Sequence, residues 1–192
     1  MQPPEKLMEV YNAGHKIFGE NKVQEMVDKH EILPKDIEWH LIGHLQTNKA
    51  KYIAPFVSMI HSVDSLKLLQ EINKQAGKNK RVIDCLLQIY IAKEESKFGL
   101  DITEAEYIIN SEALKAMKNV RIVGLMGMAT NTDNKELISN EFKSLKLFFD
   151  KNPSFSVLSM GMSSDYLIAI ENGSNMIRVG SSIFGERNYP AS

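Results

Sequence analysis

Short apolar runs alternate with helix-like stretches along almost the whole chain, and this alternation restricts the possible fold more than any other feature of the sequence. The chain opens on Pro3-Pro4-Glu5, which leads into a helix whose apolar residues Leu7, Met8, Val10 and Tyr11 share a face; Asn12-Ala13-Gly14 closes it. A strand is expected at 17–19 and a helix at 21–29, where Val23, Met26 and Val27 recur at helical spacing. The pattern then repeats as strand 39–42 with helix 48–56, strand 59–63 with helix 65–76, and strand 82–91 with helix 103–117. It continues as strand 120–128 with helix 135–149, strand 155–159 with helix 164–171, and a closing strand at 176–179. Seven strands separated by helices imply a parallel sheet built from crossover connections, so the fold class is α/β. The stretch 82–91 is apolar apart from Asp84, Gln88 and the amphipathic Tyr90, which suits a strand covered on both faces.

An open doubly wound sheet and a closed (β/α)8 TIM-type barrel share this pattern, and periodicity does not choose between them. The helix-first start does bear on the choice, because such a barrel normally opens with a strand and usually needs about 200 residues or more. The chain has 192 residues and reads as a barrel whose first strand is missing from it. No Gly/Ser-rich linker, low-complexity tract or charge block divides it, so a single domain over 1–192 is expected.

Twenty-three basic residues against 24 acidic ones give a net charge of −1, which offers no electrostatic footprint for nucleic acid or an anionic membrane surface. No segment approaches the roughly 20 apolar residues of a membrane span, and the N-terminus lacks a basic region followed by an apolar one. The one cysteine, Cys85, lies in the apolar run 82–87 and is expected as a buried structural thiol. A soluble, cytoplasmic setting is the expectation.

Chemistry concentrates near the C-terminus. Leu158-Ser159-Met160-Gly161-Met162-Ser163-Ser164-Asp165 and Met176-Ile177-Arg178-Val179-Gly180-Ser181-Ser182-Ile183-Phe184-Gly185 each place glycine or hydroxyl residues just after a strand. Glycine lets an anion approach the backbone, and serine hydroxyls with exposed N–H groups donate to it, so the two halves together can form a phosphate cup. The plainer alternative is that 163–165 caps a helix and Gly180 makes a turn. Arg178 sits within an apolar strand, where an unpartnered charge costs several kcal/mol or more. Its partner is either a core carboxylate or a ring nitrogen of a ligand. Arginine keeps its proton, so such a ring nitrogen would stay unprotonated and the ring would be a weak electron sink.

Three further segments complete a resemblance. Phe18-Gly19-Glu20-Asn21-Lys22-Val23-Gln24-Glu25, Trp39-His40-Leu41-Ile42-Gly43-His44-Leu45-Gln46-Thr47-Asn48-Lys49 and His61-Ser62-Val63-Asp64, with the closing pair above, resemble the signatures of the pyridoxal phosphate homeostasis proteins. The resemblance runs in order through nearly the whole chain. It implies a barrel of the alanine racemase N-terminal-domain type and pyridoxal phosphate as the bound cofactor. It further implies a role in supplying or buffering that cofactor for client enzymes, with no assigned catalytic reaction. By motif, Ser163, Gly180 and Ser181 would contact the phosphate, Arg178 would face the pyridine nitrogen, and Asn21 would lie near the ring. His40 and His44 would lie near the same mouth, His44 where many relatives carry proline. A zinc site from His40, His44 and His61 is a weaker alternative, since the HxxxH pair falls across a strand and the Gly43 turn with no helical glutamate beside it.

The resemblance also implies a Schiff-base lysine, in a Val-Ser-Lys context at the end of a first strand. Met1 falls at or just after that position, so this lysine is absent from the 192 residues. Lys97 and Lys49 both follow a strand, and Lys97 is the better substitute because the segment Glu94-Glu95-Ser96-Lys97-Phe98-Gly99 resembles a family segment at the ligand mouth, where desolvation lowers an amine's pKa. Two enzyme readings compete: a pyridoxal-phosphate-dependent amino-acid racemase or decarboxylase on the same barrel, and a phosphosugar-type barrel enzyme sharing only the phosphate cup.

Overall fold

The computed structural model describes residues 2–92 and 98–185. In chain order the elements are α1 (Pro4–Asn12), β1 (Ile17–Glu20), α2 (Val23–Ile32), β2 (Glu38–Leu41), a 3₁₀ turn (Thr47–Lys49) running into α3 (Ala50–Ile53), β3 (Met59–Val63) and α4 (Leu66–Lys78). They continue as β4 (Ile83–Ile89), α5 (Ile102–Asn110), α6 (Glu112–Ala116), β5 (Val120–Gly127), α7 (Lys135–Asp150), β6 (Val157–Met162), α8 (Tyr166–Glu171), β7 (Met176–Arg178) and α9 (Ser181–Phe184).

All seven strands pair in parallel and in sequence order, β1 to β7. The sheet curls strongly. His61 on β3 bonds across to Ser159 on β6 at 2.9 Å, although those strands are not neighbours in the sheet. The result is a nearly closed barrel, with no pairing between β1 and β7 among the described residues. Near this seam Lys6 of α1 donates from Nζ to the carbonyl of Phe184 in α9 at 2.8 Å, tying the two ends of the molecule together.

Two apolar cores follow from the two faces of the sheet. Between sheet and helices, Trp39, Leu41, Ile60, Leu69, Ile72, Phe142 and Leu145 are buried in one large cluster. A second, smaller cluster contains Met59, Leu86, Val123 and Met126, with Met128, Val157 and Met176 packed on it. It draws on strands and their ends but no helix, so it fills the barrel interior. Methionine suits that tapering space because its unbranched chain adapts to irregular gaps. Cys85 is fully buried, as expected, and burial pushes its thiol pKa well up.

Two local readings need correction, and one short helix was not read. The stretch 103–117 is two helices, because Ser111 adopts an extended backbone (φ −71°, ψ 143°) and serves both sides. Its hydroxyl donates to the Ile108 carbonyl at 2.8 Å and accepts the Leu114 N–H at 3.1 Å, so it closes one helix and caps the next. The sixth strand, read as 155–159, begins at Val157 and reaches Met162. Gly161 carries it there with φ +99°, where a side chain would also press against Ala169. The short α9 has too few residues for an apolar period and left no sequence signal.

Candidate functional site

A cavity of about 1320 Å³ opens at the seam and reaches into the barrel. Its wall includes Gly19, Glu20 and Asn21 at the end of β1, His40 and His61 from β2 and β3, Arg178 at the end of β7, and Ser163, Gly180, Ser181 and Ser182 beyond β6 and β7.

The loops after β6 and β7 are joined through one hydroxyl. Ser163 Oγ accepts the backbone N–H of Gly180 at 3.1 Å and that of Ser182 at 3.5 Å. Two amides therefore converge on one polar spot at the cavity wall. Ser163 does not cap α8; the residue preceding that helix is Asp165, which accepts the Met162 N–H at 2.6 Å and makes no side-chain cap bond. Nor is Gly180 required by its backbone, since its φ of −127° is open to any residue. A Cβ added there meets nothing within 4 Å, so the bare Cα faces open space at the cavity wall while its amide donates to Ser163. Ser181 is exposed at the start of α9 and lines the same cavity.

Arg178 reaches inward from β7. Its Nη1 donates to Ser159 Oγ at 2.6 Å and its Nη2 to the Gly127 carbonyl at 3.0 Å. No carboxylate among the described residues forms an ion pair with it, although the charge of Asp165 favours its protonated form. Burial pulls its pKa down to about 10, so the guanidinium remains charged at neutral pH. A guanidinium has five N–H donors and two bonds are made among the described residues, which leaves donors for an acceptor in the cavity.

On the facing wall His40 Nδ1 lies 3.0 Å from His61 Nε2, and His61 Nδ1 lies 2.9 Å from Ser159 Oγ. Burial drives the His40 pKa down to about 4. Burial, then His40, then the Arg178 charge drive that of His61 well below the usual imidazole range. Both rings are neutral at pH 7. His44 is not part of this group: its Nδ1 faces Asp64 at 3.3 Å and its ring stacks on Phe98 at 4.1 Å. Among the described residues no three histidine, cysteine or carboxylate side chains converge as a metal set, so the three histidines of the zinc alternative are split.

Asn21 is exposed at the cavity mouth, held by a close approach of Gly43, whose added Cβ would fall 2.2 Å from the Asn21 carbonyl oxygen. Lys97 lies outside the described residues. A lysine that sequence reasoning passed over, Lys29, lines the cavity and is 2% exposed, paired with Glu20, which is 8% exposed. Two site residues were also missed, His61 as a hydrogen-bonding group and Ser159. Strand alternation carries their signal, because His61 and Ser159 lie on the inward face of strands whose neighbouring inward positions are apolar.

Residues 5–188 match the family model for the alanine racemase N-terminal domain. Pyridoxal phosphate homeostasis protein from Aquifex aeolicus is 41% identical over 97% of this chain and 84% of its own length. The structure of PipY from Synechococcus elongatus, solved with pyridoxal phosphate bound, superposes with a TM-score of 0.85 at 34% identity, covering 95% of this chain and 88% of that one. A Clostridium difficile alanine racemase shares the fold, with a TM-score of 0.73 at 14% identity over 47% of its length.

Proposed function

Since the chain belongs to the alanine racemase N-terminal domain family, among its pyridoxal phosphate homeostasis proteins, we propose that it binds pyridoxal phosphate in the seam cavity and serves cellular homeostasis of that cofactor. The observation that carries this reading is Arg178: a charged guanidinium on the cavity wall, bonded among the described residues to neutral oxygens, beside the Gly180 and Ser182 amides that converge on the Ser163 hydroxyl. An anionic phosphate suits the amides and hydroxyls of Ser163, Gly180 and Ser181, and an acceptor ring nitrogen suits Arg178. Asn21 and His40 flank the ring. When bound, the cofactor supplies an aldehyde and an electron-withdrawing ring.

The role is carriage or regulation rather than turnover. Arg178 gives no proton to a pyridine, so the ring it faces draws electrons weakly. The setting is cytoplasmic, client enzymes that need the cofactor are the partners, and one domain carries the function. Lys97 serves as the reserve amine.

Titrating the chain with pyridoxal phosphate, followed by absorbance and fluorescence, tests the site. Arg178→Met weakens binding about tenfold or more, the worth of a charged hydrogen bond of about 1.5–3 kcal/mol. Ser163→Ala weakens inorganic phosphate and pyridoxal phosphate alike. Full affinity in the Arg178 variant rejects the assignment, and racemisation of amino acids at enzyme-like rates rejects the carrier role.

A further inference from the structure

The polar side chains inside the barrel form a row whose direction is set from one end. Arg178 has donors only, so at 2.6 Å its Nη1 donates to Ser159 Oγ. The Ser159 hydroxyl proton then needs an acceptor, and the remaining partner given by the structure is His61 Nδ1 at 2.9 Å. His61 therefore carries its proton on Nε2 and donates it to His40 Nδ1, 3.0 Å away. His40 in turn carries its proton on Nε2, the ring nitrogen that ends the row.

We propose, resting on the reading of the site given above, that Ser159 and His61 are positioning residues that aim the Arg178 guanidinium and fix His40 as an Nε2–H donor on the facing wall. The pair thereby selects a phosphorylated ring that offers an acceptor nitrogen over one that does not. The geometry supports this in three ways. Ser159 is fully buried and His61 is 1% exposed, so neither side chain is free to find water instead. The row crosses the barrel from β2 and β3 to β6 and β7, joining strands that the sheet itself does not pair. Arg178 is held on its other side by the Gly127 carbonyl, so losing Ser159 frees the guanidinium to swing rather than detaching it.

Two measurements decide the matter. Long-range ¹⁵N–¹H spectra of the histidines, taken on the unaltered chain without ligand at pH 7, show both His61 and His40 as neutral Nε2–H tautomers. A proton on His61 Nδ1, or an imidazolium at either ring, overturns the proposal. The second measurement compares pyridoxal phosphate with benzyl phosphate, which keeps a phosphate and a ring but lacks the ring nitrogen. Ser159→Ala narrows the preference for pyridoxal phosphate about tenfold, as expected for a misaimed charged hydrogen bond, and leaves benzyl phosphate affinity unchanged. Equal weakening of both ligands marks a merely structural role and also overturns it. If Ser159→Ala does not fold, the histidine spectra judge the proposal alone. If the unaltered chain shows no preference between the two ligands, the cofactor reading fails while those spectra still judge the row.

Discussion

At the scale of single residues, the buried imidazoles connect the site to the stability of the molecule. His40 has its pKa lowered from 6.5 to about 4 by burial, so between those values the unfolded chain takes up a proton that the folded one refuses. The stabilisation from a neutral His40 is complete above about pH 6.5 and disappears as pH falls toward 4, a loss of about 3 kcal/mol. His61 shifts in the same direction and adds to it. Urea midpoints measured from pH 7 to 4.5 should fall steeply for the unaltered chain and less steeply for His40→Gln; parallel slopes would refute the assignment. That Ser163, Arg178, Gly180, Asn21 and His40 line one cavity was legible because motif and strand-end position coincide. His61, Ser159 and Lys29 were not, since a polar residue inside an apolar strand or helix gives no sequence-level hint of which distant partner satisfies it. Long-range bonds such as His61 to Ser159, 98 residues apart, exist only once the sheet has curled.

Elements were read more successfully than their ends. The strand at Met59–Val63 coincides with its sequence reading, and α4 begins where Ser65 accepts the Leu68 N–H at 3.1 Å. Boundaries shifted where side chains satisfy the backbone locally, as Ser111 does between α5 and α6, because apolar spacing continues through the break. The start of α5 is fixed by a reciprocal pair: Asp101 accepts the Glu104 N–H at 2.8 Å, and the Glu104 carboxylate accepts the Asp101 N–H at 2.9 Å. Asp101→Ala should therefore cost about 1 kcal/mol, read as a lowered urea midpoint with an unchanged slope. A cost below a few tenths would show that packing alone holds this helix.

For the whole molecule, order in the sheet sets a gradient of stability. β4 and β5 share the longest run of paired residues, interrupted by one register shift between Cys85 and Leu86, and lie near the centre of the sheet, whereas among the described residues β1 and β7 have neighbours on one side only. Amide hydrogen exchange should be slowest in β4 and β5 and fastest in β1 and the three-residue β7. Uniform protection across all seven strands would mean that the seam is closed in solution. The α/β class was legible from the alternation of strands and helices and the barrel from the family resemblance, but the seam's cavity and the row of side chains spanning it were not, because both arise from curvature. That curvature divides recognition into two tasks of unequal robustness. Under the proposed assignment, the anion grip depends on two neighbouring loops joined at Ser163, whereas ring discrimination needs four strands kept in register around a common axis. A molecule that loosens slightly would go on holding phosphates while losing its ability to tell one from another, so fidelity should decay well before occupancy does.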